Sequence, residues 1–270
     1  MRRRWWLIGL VGVWIVVVAV LAVWSVGHER ASVPEQRDIA HAVPDLQRAA
    51  GTLLAAADGP GRAVVLGELE LADGCRVTPV RDGVAGARDV TVYVPQGEMR
   101  TAMEQIRNAL PKAFETELGE GRGGTRLSFH ADAGNFIAVD GVAESTAQVL
   151  TLRLTTGCRP HSDDLDRSDP AAAPAPAIFQ RAVDALGRGD TPETFAAPCP
   201  DKSVTATYVA AGVPMAKDLA TALATVSNGA EVIRADKSVR AYRFGEDSLV
   251  VVPDGNDGKL LRISVTTGCA

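Results

Sequence analysis

From Trp5 to Val26 the chain carries no charged residue, about 22 residues or roughly 33 Å of helix, enough to cross the hydrocarbon core of a bilayer. Beyond it the apolar positions recur at shorter periods. Leu46, Ala49, Ala50, Leu53, Leu54 and Ala57 share one face of a helix that opens at Asp45 and closes at Asp58-Gly59-Pro60-Gly61. Met99, Ala102, Met103, Ile106 and Leu110 repeat that spacing and stop at Pro111. Alternation of apolar and polar positions predicts strands over residues 63–71, 90–94, 126–130, 136–139 and 149–155. A loop rich in Gly, Arg and Asp leads into the second of these strands.

The same order returns further along. Phe179, Ala182, Val183 and Leu186 have helical spacing, a strand follows over residues 204–209, and Pro214 starts a helix with Ala216, Leu219, Ala220, Leu223 and Val226 on one face. Strands over 239–244, 249–252 and 260–266 complete the unit. The two copies end in one phrase: residues 150–158 read LTLRLTTGC and residues 260–269 read LLRISVTTGC. Leu150, Leu152 and Leu154 in the first, and Leu261, Ile263 and Val265 in the second, alternate with Thr, Arg or Ser as in a half-buried strand.

These patterns give an α+β fold: an N-terminal transmembrane helix, then two tandem, duplicated small domains, each with helices packed on a mostly antiparallel sheet and one disulfide. The predicted boundaries are a cytoplasmic stub at 1–4, an anchor at 5–27, a polar stalk at 28–44, a first module at 45–158, a Pro- and Asp-rich linker at 159–177 and a second module at 178–270. Arg2, Arg3 and Arg4 precede the apolar run, which orients the N-terminus inward and places the bulk of the chain outside the cytoplasm. A cleavable signal peptide is the competing reading, but its apolar region is only about 7–15 residues.

Cysteines and charge narrow the chemistry. Cys75, Cys158, Cys199 and Cys269 are widely spaced and form no C-x-x-C pair, which disfavours zinc ribbons and thioredoxin-like sites. Equivalent positions in the two copies select Cys75–Cys158 and Cys199–Cys269 as the pairing, in an oxidising compartment. Formal net charge is −5 although three arginines open the chain, so the remainder is more acidic and unsuited to nucleic acid.

Other motifs carry less. The glycine-rich run 119–124 precedes a strand and opens no helix, unlike a phosphate loop. His28, His41, His130 and His161 show no zinc-binding spacing. Asp163, Asp164, Asp166 and Asp169 lack the pattern of a calcium loop and read as solvated linker charges. Arg188-Gly189-Asp190 spells an adhesion tripeptide, but Gly187 and Gly189 read as a helix end and turn. No G-x-S-x-G or S-x-x-K motif is present.

No catalytic, cofactor-binding or metal-binding residue is assigned, and no cofactor is expected. The expected function is that of a membrane-anchored extracytoplasmic binding protein, non-enzymatic, whose partners are the membrane and a cell-envelope protein or ligand. Two alternatives stand beside it. One is an envelope hydrolase drawing its acid and base from Glu115, Glu117, Asp132 and Asp140. The other is a sensory ectodomain acting through a membrane partner.

Overall fold

A computed structural model describes residues 2–28, 37–161, 165–255 and 258–269. The apolar run forms α1 (Arg2–His28), a single helix of 27 residues. Its side chains are described continuously only over residues 10–22, all exposed. Taken over the described residues, no helix is long and apolar enough to cross a membrane.

The body holds two six-stranded sheets, every neighbouring pair antiparallel. The first contains β1 (Ala63–Thr78), β2 (Arg81–Tyr93), β3 (Glu117–Gly121), β4 (Arg126–Asp132), β5 (Ala138–Glu144) and β6 (Val149–Arg159), in the order β1-β2-β6-β5-β4-β3. The second contains β7 (Glu193–Pro198), β8 (Val204–Pro214), β9 (Glu231–Ala235), β10 (Arg240–Phe244), β11 (Asp247–Asp254) and β12 (Leu260–Thr266). Its order, β7-β8-β12-β11-β10-β9, is the same topology. Each repeated phrase supplies the strand that joins its opening hairpin to its closing meander. One disulfide lies in each half, Cys75–Cys158 and Cys199–Cys269.

Helices cover one face of each sheet. In the first half, α2 (Ile39–Ala57) and α3 (Met99–Ala109) bury Leu46, Leu53, Leu54, Met103 and Ile106 against Val90, Val92, Leu150, Leu152 and Leu154. In the second, α4 (Ala177–Leu186) and the short α5 (Leu219–Ala222) pack on Leu249, Val251, Leu261, Ile263 and Val265.

Several elements depart from the sequence reading. The predicted stalk reaches Pro44, yet α2 begins at Ile39, capped by the Asp38 side chain accepting from the Ala40 amide at 2.8 Å, and runs through Pro44. Ile39, Ala42 and Val43 bury against Val84, which offsets the helical hydrogen bond that Pro44 cannot donate. Residues 29–36 of that stalk lie outside the described residues. The predicted Gly-, Arg- and Asp-rich loop is ladder: β1 and β2 form one long hairpin with bulges near Gly67, Gly74 and Val77. Gly83 permits it, since a Cβ there would lie 2.3 Å from the Arg159 carbonyl oxygen.

In the second half β8 extends to Pro214 and α5 is only four residues long. Asp218 caps Ala220 and Thr221, while β-branched Thr221, Thr225 and Val226 followed by Asn228-Gly229 give weak helix propensity. Leu219, Leu223 and Val226 are nevertheless buried.

The two halves are packed together, not strung on a free linker. β1 is an edge strand of the first sheet, and its opening residues lie across the outer face of the second. The Val64 amide donates to Ser248 Oγ at 3.0 Å, and the Leu66 amide donates to Thr207 Oγ1 at 3.0 Å. From the linker, Asp169 reaches Arg88, which is fully buried, at 2.7 and 3.0 Å and also accepts from the Ala196 amide at 2.7 Å. Arg88 donates in addition to the carbonyls of Gly67 and Ala196, each at 3.0 Å. The linker is therefore strapped down at its middle.

Candidate interaction face

The face of the first sheet opposite its helices carries Glu117, His130, Asp132 and Asp140 of the residues noted from sequence. Period-two alternation turns Arg126, Ser128, His130 and Asp132 outward from β4 while Leu127, Phe129 and Ala131 enter the core. Register then lines charged residues across five strands: Glu117 faces His130, His130 faces Asp140, Asp140 faces Arg153, and Arg153 faces Asp89. His130 Nδ1 and Asp140 Oδ1 are 2.8 Å apart. Arg153 donates to Asp89 Oδ1 at 3.0 Å and pairs with Glu70 on β1. Those two partners and their hydrogen bonds, with Glu70 foremost, hold the Arg153 guanidinium above the usual arginine range.

This row alternates acids with a histidine and an arginine on an open surface. His130 and Asp140 side chains are 57 % and 62 % exposed, so their pairing adds about 1 kcal/mol or less. Such a face suits electrostatic complementarity with a partner, which sets register and encounter rate more than affinity.

The four acids named from the sequence are not gathered at one point. Glu117 and Asp140 stand two strands apart, about 9–10 Å by strand spacing, with His130 between them. Asp132 is turned to its own turn, accepting from the Gly134 amide at 2.8 Å. Glu115 follows a 3-10 turn in the left-handed region at φ 41°. Ser128 shares the face two residues before His130, but no hydrogen bond joins them, so no nucleophile is activated there.

The remaining motifs resolve as construction. Residues 119–121 of the glycine-rich stretch end the edge strand β3, followed by a 3-10 turn at Arg122–Gly124 and then β4. Within the acidic linker, Asp163 and Asp164 lie outside the described residues. Asp166 accepts from the hydroxyl and amide of Ser168, which hold its carboxyl below the usual range. Asp166 is exposed, as a solvated linker charge would be, whereas the half-buried Asp169 departs from that reading and is the strap to Arg88. Among the described residues no three His, Cys, Asp or Glu side chains group as metal ligands. In Arg188-Gly189-Asp190, a Cβ on Gly189 would lie 1.9 Å from the Ala211 carbonyl oxygen, and the Asp190 amide donates to that oxygen at 2.8 Å. The tripeptide backbone is pinned to β8.

Sequence reasoning missed Arg88 and Arg62, both buried cations. Neither sits in a recognisable motif, and each lies beside Gly, Ala or Asp in stretches that look like loop.

No family model and no curated protein matches the chain. Among solved structures, that of a DUF4853 family protein from Actinomyces odontolyticus aligns with TM-score 0.35 and 13 % identity, over 67 % of this chain and 97 % of that one. At that score the likeness carries no conclusion about fold or activity.

Proposed function

We propose that α1 anchors the chain in a membrane, and that its two-sheet body acts outside the cytoplasm as a non-enzymatic binding module for a cell-envelope component. The observation that carries the reading is the conjunction of two cystines with a leading helix uncharged from Trp5 to Val26. Disulfides persist in oxidising compartments, and an uncharged helix behind an arginine cluster is the means of holding a body there. The charged row across the first sheet is the binding surface, with Arg153 at its centre.

Two measurements test this. After rapid alkylation of intact cells, all four cysteines are expected to be protected until reduction, and the chain is expected to pellet with carbonate-washed membranes. Free thiols in a soluble fraction would defeat the reading. For the face, a cross-linked envelope partner is expected to be lost in Arg153→Glu and kept in a charge reversal remote from the face, such as Arg181→Glu. Equal capture by both variants would remove the face from the proposal.

A further inference from the structure

The chain enters the body at one end of the first sheet. The Ile39 amide, at the start of α2, donates to the Pro160 carbonyl just beyond β6 at 2.9 Å. Residues 29–38 join α1 to that point, and at full extension they reach no further than about 36 Å. Two hairpin tips stand at the same end. The ladder between β2 and β6 closes at Val84 opposite Arg159, and the β1–β2 hairpin continues past it to Thr78 and Arg81. The β4–β5 hairpin turns there between Asp132 and Ala138, and the Asn135 side chain donates to Asp45 of α2 at 2.9 Å. Each tip shows an apolar side chain to solvent: Val80 is 95 % exposed and Phe136 48 %. Among the described residues of the first half, the one other large apolar side chain so exposed is Val142, on the open face.

Phe136 is displayed against its own backbone preference. Gly134, Asn135 and Phe136 are consecutive left-handed residues, at φ 82°, 53° and 59°, a region that glycine and asparagine tolerate and a bulky side chain resists. The turn is nevertheless fixed from several sides. The Ile137 amide donates to the Gly134 carbonyl at 3.1 Å and the Gly134 amide to Asp132 at 2.8 Å. Buried Arg159 donates to the carbonyls of Asn135 and Phe136 at 2.7 and 3.3 Å. Strain that its surroundings hold in place gathers where a group is put to use. Beside Val80, Arg76 and Arg81 are exposed and make no salt bridge among the described residues. Carboxylates at this end are engaged by the protein itself: Asp38 by the Ala40 amide, Asp45 by Arg48 and Asn135, and Asp132 by Gly134. Asp82 stands opposite Arg76 in the ladder.

We propose that this end of the body rests on the bilayer that holds α1, with Val80 and Phe136 entering the boundary between headgroups and acyl chains and Arg76 and Arg81 meeting lipid phosphates. Docking of this kind rests on the anchoring proposed above and adds an orientation to it. An apolar tip flanked by guanidinium groups suits that boundary, because the apolar side chain leaves water while the cations stay at headgroup level. The short tether keeps both tips within reach of the surface, so contacts that are weak singly form at high effective concentration. The charged face around Arg153 then stands upright from the membrane, open to a partner alongside.

The test uses the full-length chain in vesicles of phosphatidylcholine and phosphatidylglycerol whose acyl chains carry bromine, a quencher confined to the bilayer. A dansyl-bearing residue replaces Val80 in one protein and Val142 in another. The probe at position 80 is expected to lose most of its emission relative to vesicles without bromine, and the probe at position 142 to lose none. Phe136→Gly removes the second tip and relieves its left-handed strain. Arg81→Glu reverses a charge at a fully exposed position. Each is expected to restore emission at position 80, and if Phe136→Gly fails to fold, Arg81→Glu decides. Chains that float with the vesicles but show no quenching at position 80, or equal quenching at 80 and 142, overturn the docking and leave the anchor standing. Quenching at position 80 that neither variant relieves also overturns it. Chains that do not float with the vesicles overturn the anchor and the docking together.

Discussion

A β-carbon added to Gly51 would lie 2.0 Å from the carbonyl oxygen of Pro198, across the contact between α2 and β7. In an ordinary helix interior Gly→Ala stabilises by about 1 kcal/mol. Here backbone opposes backbone, so the sign should invert. Gly51→Ala is expected to lower the midpoint of chemical denaturation, and an unchanged or raised midpoint would show that the contact yields. Asp247 gives a second prediction. Burial first, then the charges of Asp58 and Glu246, raise its carboxyl above the usual 3.8, against the pull of Arg243. A raised carboxyl destabilises the fold above its folded value, and the penalty fades as pH falls toward 3.8. Asp247→Asn should therefore raise the thermal midpoint near neutral pH and lose that advantage on acidification. Asp166, Asp201 and Asp218 are held low by hydrogen bonds, so their losses begin below that window. A constant advantage for Asp247→Asn at every pH would assign the effect to something other than its charge.

At the scale of elements, the exposed edge of a sheet is a hazard that proteins cover, charge or bend. β1 opens with its edge covered by hydroxyls of the second sheet, and its distal part carries bulges near Gly74 and Val77. Thr207 Oγ1 also lies 2.8 Å from Thr266 Oγ1, so the Leu66 amide feeds a buried hydroxyl pair. Thr207→Val keeps the shape and strands that amide, at a cost of about 1–3 kcal/mol. Amide exchange at Leu66 is expected to accelerate while exchange in β4 and β5 holds; acceleration spread evenly over both sheets would count against a local role. This packing left a trace in the sequence. Outward positions in the first sheet are charged: Glu70, Asp89, His130, Asp140 and Arg153. Those in the second are Thr205, Thr207, Ser248, Val250, Ser264 and Thr266, almost all buried side chains. Alternation alone made both sheets half-solvated; the difference between charge and hydroxyl was the legible sign of a covered face. β7 and β9 were less legible, being edge strands of six and five residues whose turn-like neighbours mask a short alternation. Pro44 misled for a definite reason: proline usually stops a helix, and only the burial of Ile39 and Val43 shows why this one does not.

For the whole molecule, the two disulfides are near equals by chain entropy and unequal by position. They span 83 and 70 residues, which the loop-closure model values at about 4–5 kcal/mol apiece. Cys75–Cys158 ties the β1–β2 hairpin to β6 within the first half. Cys199–Cys269 does more. Cys199 follows β7, whose Ala197 joins the core of the first half, and Cys269 packs against that same core beside Gly51. A Cβ on Gly268 would lie 2.8 Å from the Glu246 side chain and 3.1 Å from Asp58 Oδ2, so this phrase lies between residues of the two halves. Similar loop lengths make any difference between the two bonds a report on place. Cys75→Ser/Cys158→Ser should lower global stability while the Val64 and Leu66 amides still exchange only on global unfolding. Cys199→Ser/Cys269→Ser should let those two amides exchange through a partial opening, ahead of the strands in either core. Native-state hydrogen exchange reads both cases, and equal behaviour of the two double variants would mean that the C-terminal cystine holds its own sheet and not the join. The repeated Thr-Thr-Gly-Cys thus closes two similar sheets, but its second copy also packs against α2 of the first half, where Cys269 meets the core beside Gly51.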